Sequence, residues 1–162
     1  MAKQHAEKTN AMRVLDAARI EYGSRTFECA EALSGTEVAD LLGLERDRVF
    51  KTLVTIGHSN EHYVFMIPVA EELDLKKAAL AVGEKSIAMI KAKELLPLTG
   101  YVHGGCSPIG MKKPFATVVD ETAILFETIM FSGGRIGAQI ELSLDDLARV
   151  VELTTADLTV RR

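Results

Sequence analysis

A chain of 162 residues, 48% hydrophobic and 26% charged, is long enough to close one core and bury roughly 70% of its unfolded surface, so a single domain over 1–162 is expected. Its net charge of −4 excludes broad electrostatic gripping of nucleic acid, which needs many Lys and Arg contacts to phosphates, but leaves room for a local basic site. There is no run of about 18 apolar residues and no secretory pattern after Met1, and Cys29 and Cys106 match neither a zinc spacing nor a disulfide framework, which points to the cytoplasm.

In chain order, Val14, Leu15, Ala18 and Ile20 approach helical spacing after a Thr9 or Asn10 cap, and Ser24 to Cys29 alternates as a strand. Ser34 with Glu37 forms a capping-box pattern before Val38, Leu41 and Leu42, and Gly43 stops that helix. Val49–Ile56 and His62–Val69 read as strands joined by a polar hairpin loop. Asp74 opens a helix closed by Gly83, and Lys91 to Leu96 reads as a short helix stopped at Pro97. Thr99 to Pro114, with four glycines and two prolines, reads as loop. Short β-like runs follow at Thr117–Val119, Thr128–Phe131 and Ile136–Leu142, then a last helix from Ser143 through Val150. Strands and helices mix without regular βαβ alternation, so the fold class is α+β with a curved, partly antiparallel sheet.

Lys51 stands out because neither face of Val49–Ile56 is a solvent face. Its ammonium must pair, for example with Glu28, snorkel to water, or serve as a binding or catalytic group. The loop His103 to Pro114 fits neither a Walker A motif nor a nucleophile elbow, since Met111 precedes Lys112 and Ile109 stands where a second glycine belongs. One reading makes Cys106 a nucleophile with His103 as its base; the commoner use of such a loop is to bring backbone N–H groups to a carbonyl or phosphate oxygen. His58 to His62 matches H-x-x-E-H in letters, but zinc chemistry requires that pattern on a helix, and here it falls in a hairpin turn. Ser132, Gly133 and Gly134 read either as a hairpin with a glycine bulge or as hydroxyl and amide donors to an anion.

Together, E-V-A-D-L-L-G-L-E-R-D-R-V-F-K-T-L, L-D-L-K-K-A-A, T-G-Y-V-H-G-G-C-S-P-I-G-M-K-K-P and S-G-G-R-I-G-A-Q-I-E-L resemble the YbaK/EbsC family of trans-acting Cys-tRNA(Pro) deacylases, over about Phe27 to Val150. That family is related to the editing domain inserted in many bacterial prolyl-tRNA synthetases. The resemblance implies a mixed, barrel-like sheet surrounded by helices and a pocket for the aminoacylated 3′ end of tRNA. It implies that Lys51 is the residue tied to activity, and that Phe27, Gly104, Gly105, Ser107, Ser132, Gly133, Gly134 and Gln139 line the pocket. It implies no cofactor, metal or membrane, and prolyl-tRNA synthetase as the partner that supplies tRNA affinity. In similar proteins the substrate's own thiol attacks its ester, leaving the protein to position and to stabilise charge. Where Cys-specific members often carry Tyr and Asp, this chain has Phe27 and Gln139, which leaves the preferred amino acid open. A non-catalytic module that binds a nucleotide or a partner on the same fold is the competing reading.

Overall fold

The computed structural model describes residues 7–28 and 33–161. Cys29, the predicted end of the first strand, lies outside the described residues. Helix α1 (Asn10–Ala17) starts where Thr9 caps it, the threonine oxygen accepting from Met12 N–H, and its Ala11, Met12 and Leu15 face inward. Strand β1 (Gly23–Thr26) is followed by α2 (Gly35–Leu41), whose Ser34–Glu37 capping box forms as the sequence indicates. Strands β2 (Phe50–Gly57) and β3 (His62–Pro68) make the hairpin, with Asn60 at φ 74° in its turn and Gly57 N–H donating to Glu61 C=O at 2.8 Å. Asp74 caps α3 (Leu75–Val82) by accepting from the Lys76 and Lys77 amides, and Gly83 ends the helix in the left-handed region.

Five elements differ from their sequence reading. Strands β4 (Ile87–Met89) and β8 (Leu153–Ala156) were not expected, because three or four half-exposed residues carry no measurable period. Helix α4 (Ala92–Thr99) runs through Pro97 instead of stopping before it. Only one intrahelical donor is lost there, and the last turn recovers two bonds: Gly100 N–H to Leu96 C=O and Thr99 Oγ1 to Leu95 C=O. The last helix, α5, covers only Leu144–Leu147, and strand β1 is shifted toward Gly23. Strands β5 (Ala116–Asp120), β6 (Ile129–Ser132) and β7 (Ala138–Leu142) lie close to where they were expected.

The strands form two open sheets, an antiparallel β1-β7-β6 and a mixed β4-β2-β3-β5-β8. The barrel-like expectation is corrected here: among the described residues neither sheet closes on itself, and a single bridge between Val49 and Met130 joins their backbones. The larger sheet is covered on both faces. On one, Leu53, Phe65, Ile67 and Val118 pack under Ala78 and Ala79 of α3. On the other, Phe50, Met66 and Val119 meet α1 and the Ile129, Phe131 and Ile140 face of the smaller sheet, while Val54 and Val64 meet Tyr101 and Cys106. This explains why β2 shows no solvent face in its sequence. No helix among the described residues is long and apolar enough to cross a membrane.

Thr9 fastens α1 to the β6–β7 turn, since its hydroxyl donates to Gly133 C=O while its oxygen caps the helix, at 8% exposure. Thr9→Val keeps the shape and orphans both partners. A loss of about 2 kcal/mol is expected, seen as a lower urea midpoint with an unchanged slope; an unchanged midpoint would show that the fastening is not used.

Candidate active site

The pairing of β2 leaves a gap along one edge. Gly57 bonds to β3 through its main chain, so by strand alternation Thr55, Leu53 and Lys51 point their N–H and C=O groups toward β3, and Val54 and Thr52 point theirs to the opposite edge. On that edge β4 pairs only from Thr55 to Gly57, Ile90 N–H reaches Val54 C=O, and β6 touches only at Val49. The main chain of Thr52 is therefore left open between two departing strands. A cavity of about 570 Å³ occupies this gap, with Lys51 and Thr52 on its floor and Gly104, Cys106, Ser132 and Gln139 among its walls.

Among the described residues, three buried or half-buried polar groups of this cavity lack partners. Lys51 has no hydrogen bond or ion pair among the described residues; Glu28 does not pair with it. Burial holds its ammonium below the ordinary value, and the negative charges of Glu72 and Glu71 offset this only in part. Thr52 Oγ1 and Gln139 Oε1 are both buried without a hydrogen-bond partner. Buried polar atoms left in this state are rare, and a cavity that collects an unpaired cation, an unpaired hydroxyl and an unpaired amide oxygen is arranged for a polar ligand.

The walls are held by bonds that do not depend on such a ligand. Tyr101 O–H donates to Ile109 C=O at 2.5 Å and Asn10 Nδ2 donates to Gly110 C=O at 2.6 Å, pinning the 101–111 loop from inside and from α1. Gly105 packs so tightly on the other loop that a Cβ would lie 2.8 Å from the Ile136 nitrogen and 2.9 Å from Arg135 backbone atoms, so only glycine allows the two loops to meet. Cys106 sits in the wall as a neutral thiol, pushed up to about 12 by burial, with a hydrogen bond to Thr99 opposing the shift only weakly. A thiol in that state is not a nucleophile at neutral pH, and no hydrogen bond joins it to His103.

The fold has counterparts. The aminoacyl-tRNA editing domain model matches residues 30–150. The chain belongs to the aminoacyl-tRNA editing domain family. It is 42% identical over 160 residues, 98% of both chains, to EbsC of Enterococcus faecalis, a protein provisionally named a Cys-tRNA(Pro)/Cys-tRNA(Cys) deacylase. A shorter match, 35% over 82 residues, is to the proline–tRNA ligase of Thermodesulfovibrio yellowstonii and covers 51% of this chain and 14% of the ligase. A crystal structure provisionally described as a trans-editing enzyme for prolyl tRNA synthetase superposes with a TM-score of 0.82 at 24% identity, covering 96% of this chain and all of that one, which speaks to the fold.

Within the editing domain, the cavity brings together Lys51, Gly104, Ser132 and Gln139 of the residues singled out from sequence. Ser132 and Gln139 face each other across β6 and β7 as a cross-strand pair. The others lie outside the lining. Ser107 is 0% exposed and its oxygen accepts from Ile109 N–H, a bond that shapes the loop. The Gly105 amide donates to Val102 C=O, the Gly133 amide to Ala138 C=O, and the Gly134 amide to Ser132 Oγ, so these donors are used inside their own turns. Phe27 donates its main-chain N–H to Gly137 C=O at 2.8 Å. His58 and His62 flank the hairpin turn, and among the described residues no group of three or more His, Cys, Asp or Glu side chains is arranged to hold a metal. Thr52 was missed in sequence, although its place beside Lys51 on an edge with no partner strand marks it here.

Burying the Lys51 charge costs stability, and Lys51→Met should relieve it. The folded lysine has a pKa below the 10.5 of an ordinary lysine, so the cost is full below the folded pKa and fades as pH rises from there toward 10.5, where the amine becomes neutral in both states. The melting temperature of the variant should exceed that of the wild type most at neutral pH, with the difference narrowing as pH rises toward 10.5; a constant difference up to pH 10.5 would contradict the desolvated charge.

Proposed function

We propose that this chain is a trans-acting editing deacylase that removes a mischarged amino acid from tRNA, with Cys-tRNA(Pro) as the substrate its relatives favour. The observation that carries the reading is the unpaired, partly desolvated Lys51 at the open edge of β2, in a cavity whose lining includes no carboxylate among the described residues. Ester cleavage places negative charge on the carbonyl oxygen and then on the departing ribose oxygen. An ammonium already partly desolvated beside the ester stabilises that charge. The Gly104 backbone, at the cavity wall with φ 85°, is placed to approach the aminoacyl carbonyl.

No side chain in the cavity needs to attack the ester. The substrate cysteine thiol attacks its own ester carbonyl: a C–S bond forms, the C–O bond to the terminal ribose breaks, and the thiol proton passes to the ribose oxygen. The amino acid departs as a cyclic thiolactone. The protein contributes placement and charge stabilisation, in keeping with the protonated state of Cys106. Serine and alanine carry no comparable internal nucleophile, so selection of cysteine is chemical as well as steric.

With a net charge of −4, the chain gains little affinity for the tRNA body from general electrostatics, and prolyl-tRNA synthetase is the partner proposed to present the substrate. Lys112, Lys113 and Arg135, in and beside the two cavity loops, would supply local phosphate contacts, giving weak binding of free tRNA that falls with salt.

Release of amino acid from Cys-tRNA(Pro), Ala-tRNA(Pro) and Cys-tRNA(Cys) tests the reading. Wild-type protein should deacylate a Cys-charged species, Lys51→Ala should lower kcat/KM by about 10²–10³-fold, and Cys106→Ala should stay within a few-fold of wild type. No turnover of any of the three by folded protein would favour a binding module instead, and loss of activity in Cys106→Ala would favour thiol hydrolysis.

A further inference from the structure

The polar groups left unpartnered in the cavity differ in depth and in what they require. Gln139 is 9% exposed, its Oε1 has no partner, and it lies on β7, behind the β6 edge. An amide oxygen can only accept, so a ligand must bring a donor to it. Lys51 and the Thr52 main-chain N–H are donors, and they suit the oxygens of a phosphate or an ester.

A tRNA 3′ end enters a cavity tip first. The aminoacyl group is therefore the part that reaches the buried Gln139 oxygen, with the ribose one ester bond nearer the mouth. The one strongly donating group of a cysteinyl ester is its α-ammonium. Its positive charge is repelled by Lys51, whose own electrostatic partners are the carboxylates of Glu72 and Glu71. We infer that Gln139 is the specificity-determining residue for the α-amino group, its Oε1 accepting from the ammonium while the ester lies along the open edge of β2 at Thr52. This rests on the editing reading and names the group of the substrate that the cavity recognises.

The arrangement explains a neutral amide at this depth. It meets the ammonium with a hydrogen bond and adds no negative charge beside Lys51, so the field that stabilises the departing ribose oxygen is not cancelled by a carboxylate at this position.

Two probes test it by calorimetry: 3′-cysteinylamino-3′-deoxyadenosine 5′-phosphate, in which an amide replaces the ester, and its counterpart carrying 3-mercaptopropionyl, which lacks the amino group. Wild type should bind the amino probe about 10- to 100-fold more tightly than the desamino probe, the range expected for one hydrogen bond to a charged group. Gln139→Met should erase that preference with the desamino affinity unchanged, and Gln139→Glu, which keeps an acceptor in place, should restore it. Equal loss of both probes in Gln139→Met, an undiminished preference in that variant, or failure of the wild type to bind either probe would overturn the inference. Binding with the expected preference in a protein that deacylates none of the charged tRNAs would sustain the inference and defeat the deacylase reading.

Discussion

The interrupted pairing of β2 is the constraint on which the rest of the structure depends. A buried strand normally gives both edges to neighbours, because each unpaired N–H and C=O away from water costs free energy. Here β3 takes one edge fully, while β6 bridges the other at Val49 and β4 takes it up again only at Thr55. The intervening residues stay open to a cavity bounded by both sheets, and Lys51 and Thr52 occupy that interval. The position of the site is thus a property of strand topology before it is a property of any side chain.

Keeping such a gap from collapsing requires rigid walls. The 101–111 loop is fixed by the Tyr101 and Asn10 bonds, the 133–137 loop by Thr9 and by the Gly133 to Ala138 bond, and the two loops meet at Gly105, where no side chain fits. Most of the glycine-rich chemistry of the sequence is consumed in this scaffold. What remains for a ligand includes the open backbone edge at Thr52, the Lys51 ammonium, the Thr52 hydroxyl and the Gln139 amide oxygen, a preorganised set whose cost was met in folding.

The sequence made some of this legible. Capping residues marked helix starts at Thr9, Ser34, Asp74 and Ser143, and side-chain caps form at each of them. Lys51 could be singled out because an ammonium on a strand with no polar face is a conflict readable in one dimension. Pairing was not readable: the register of β2, and so the opening at Thr52, depends on where β4 and β6 leave it, and β4 is too short to show a period. The same limit applies to the glycine loops. Sequence offered the Gly105, Gly133 and Gly134 amides as donors, yet which amides are spent within a turn depends on backbone dihedrals that only the folded loop fixes.

The most direct test is a crystal structure with 3′-cysteinylamino-3′-deoxyadenosine 5′-phosphate bound. The account predicts the aminoacyl group in the β2 gap, with Lys51 Nζ about 3 Å from a carbonyl or phosphate oxygen of the analogue. An analogue bound elsewhere, or one seated in the gap with no contact to Lys51, would contradict it.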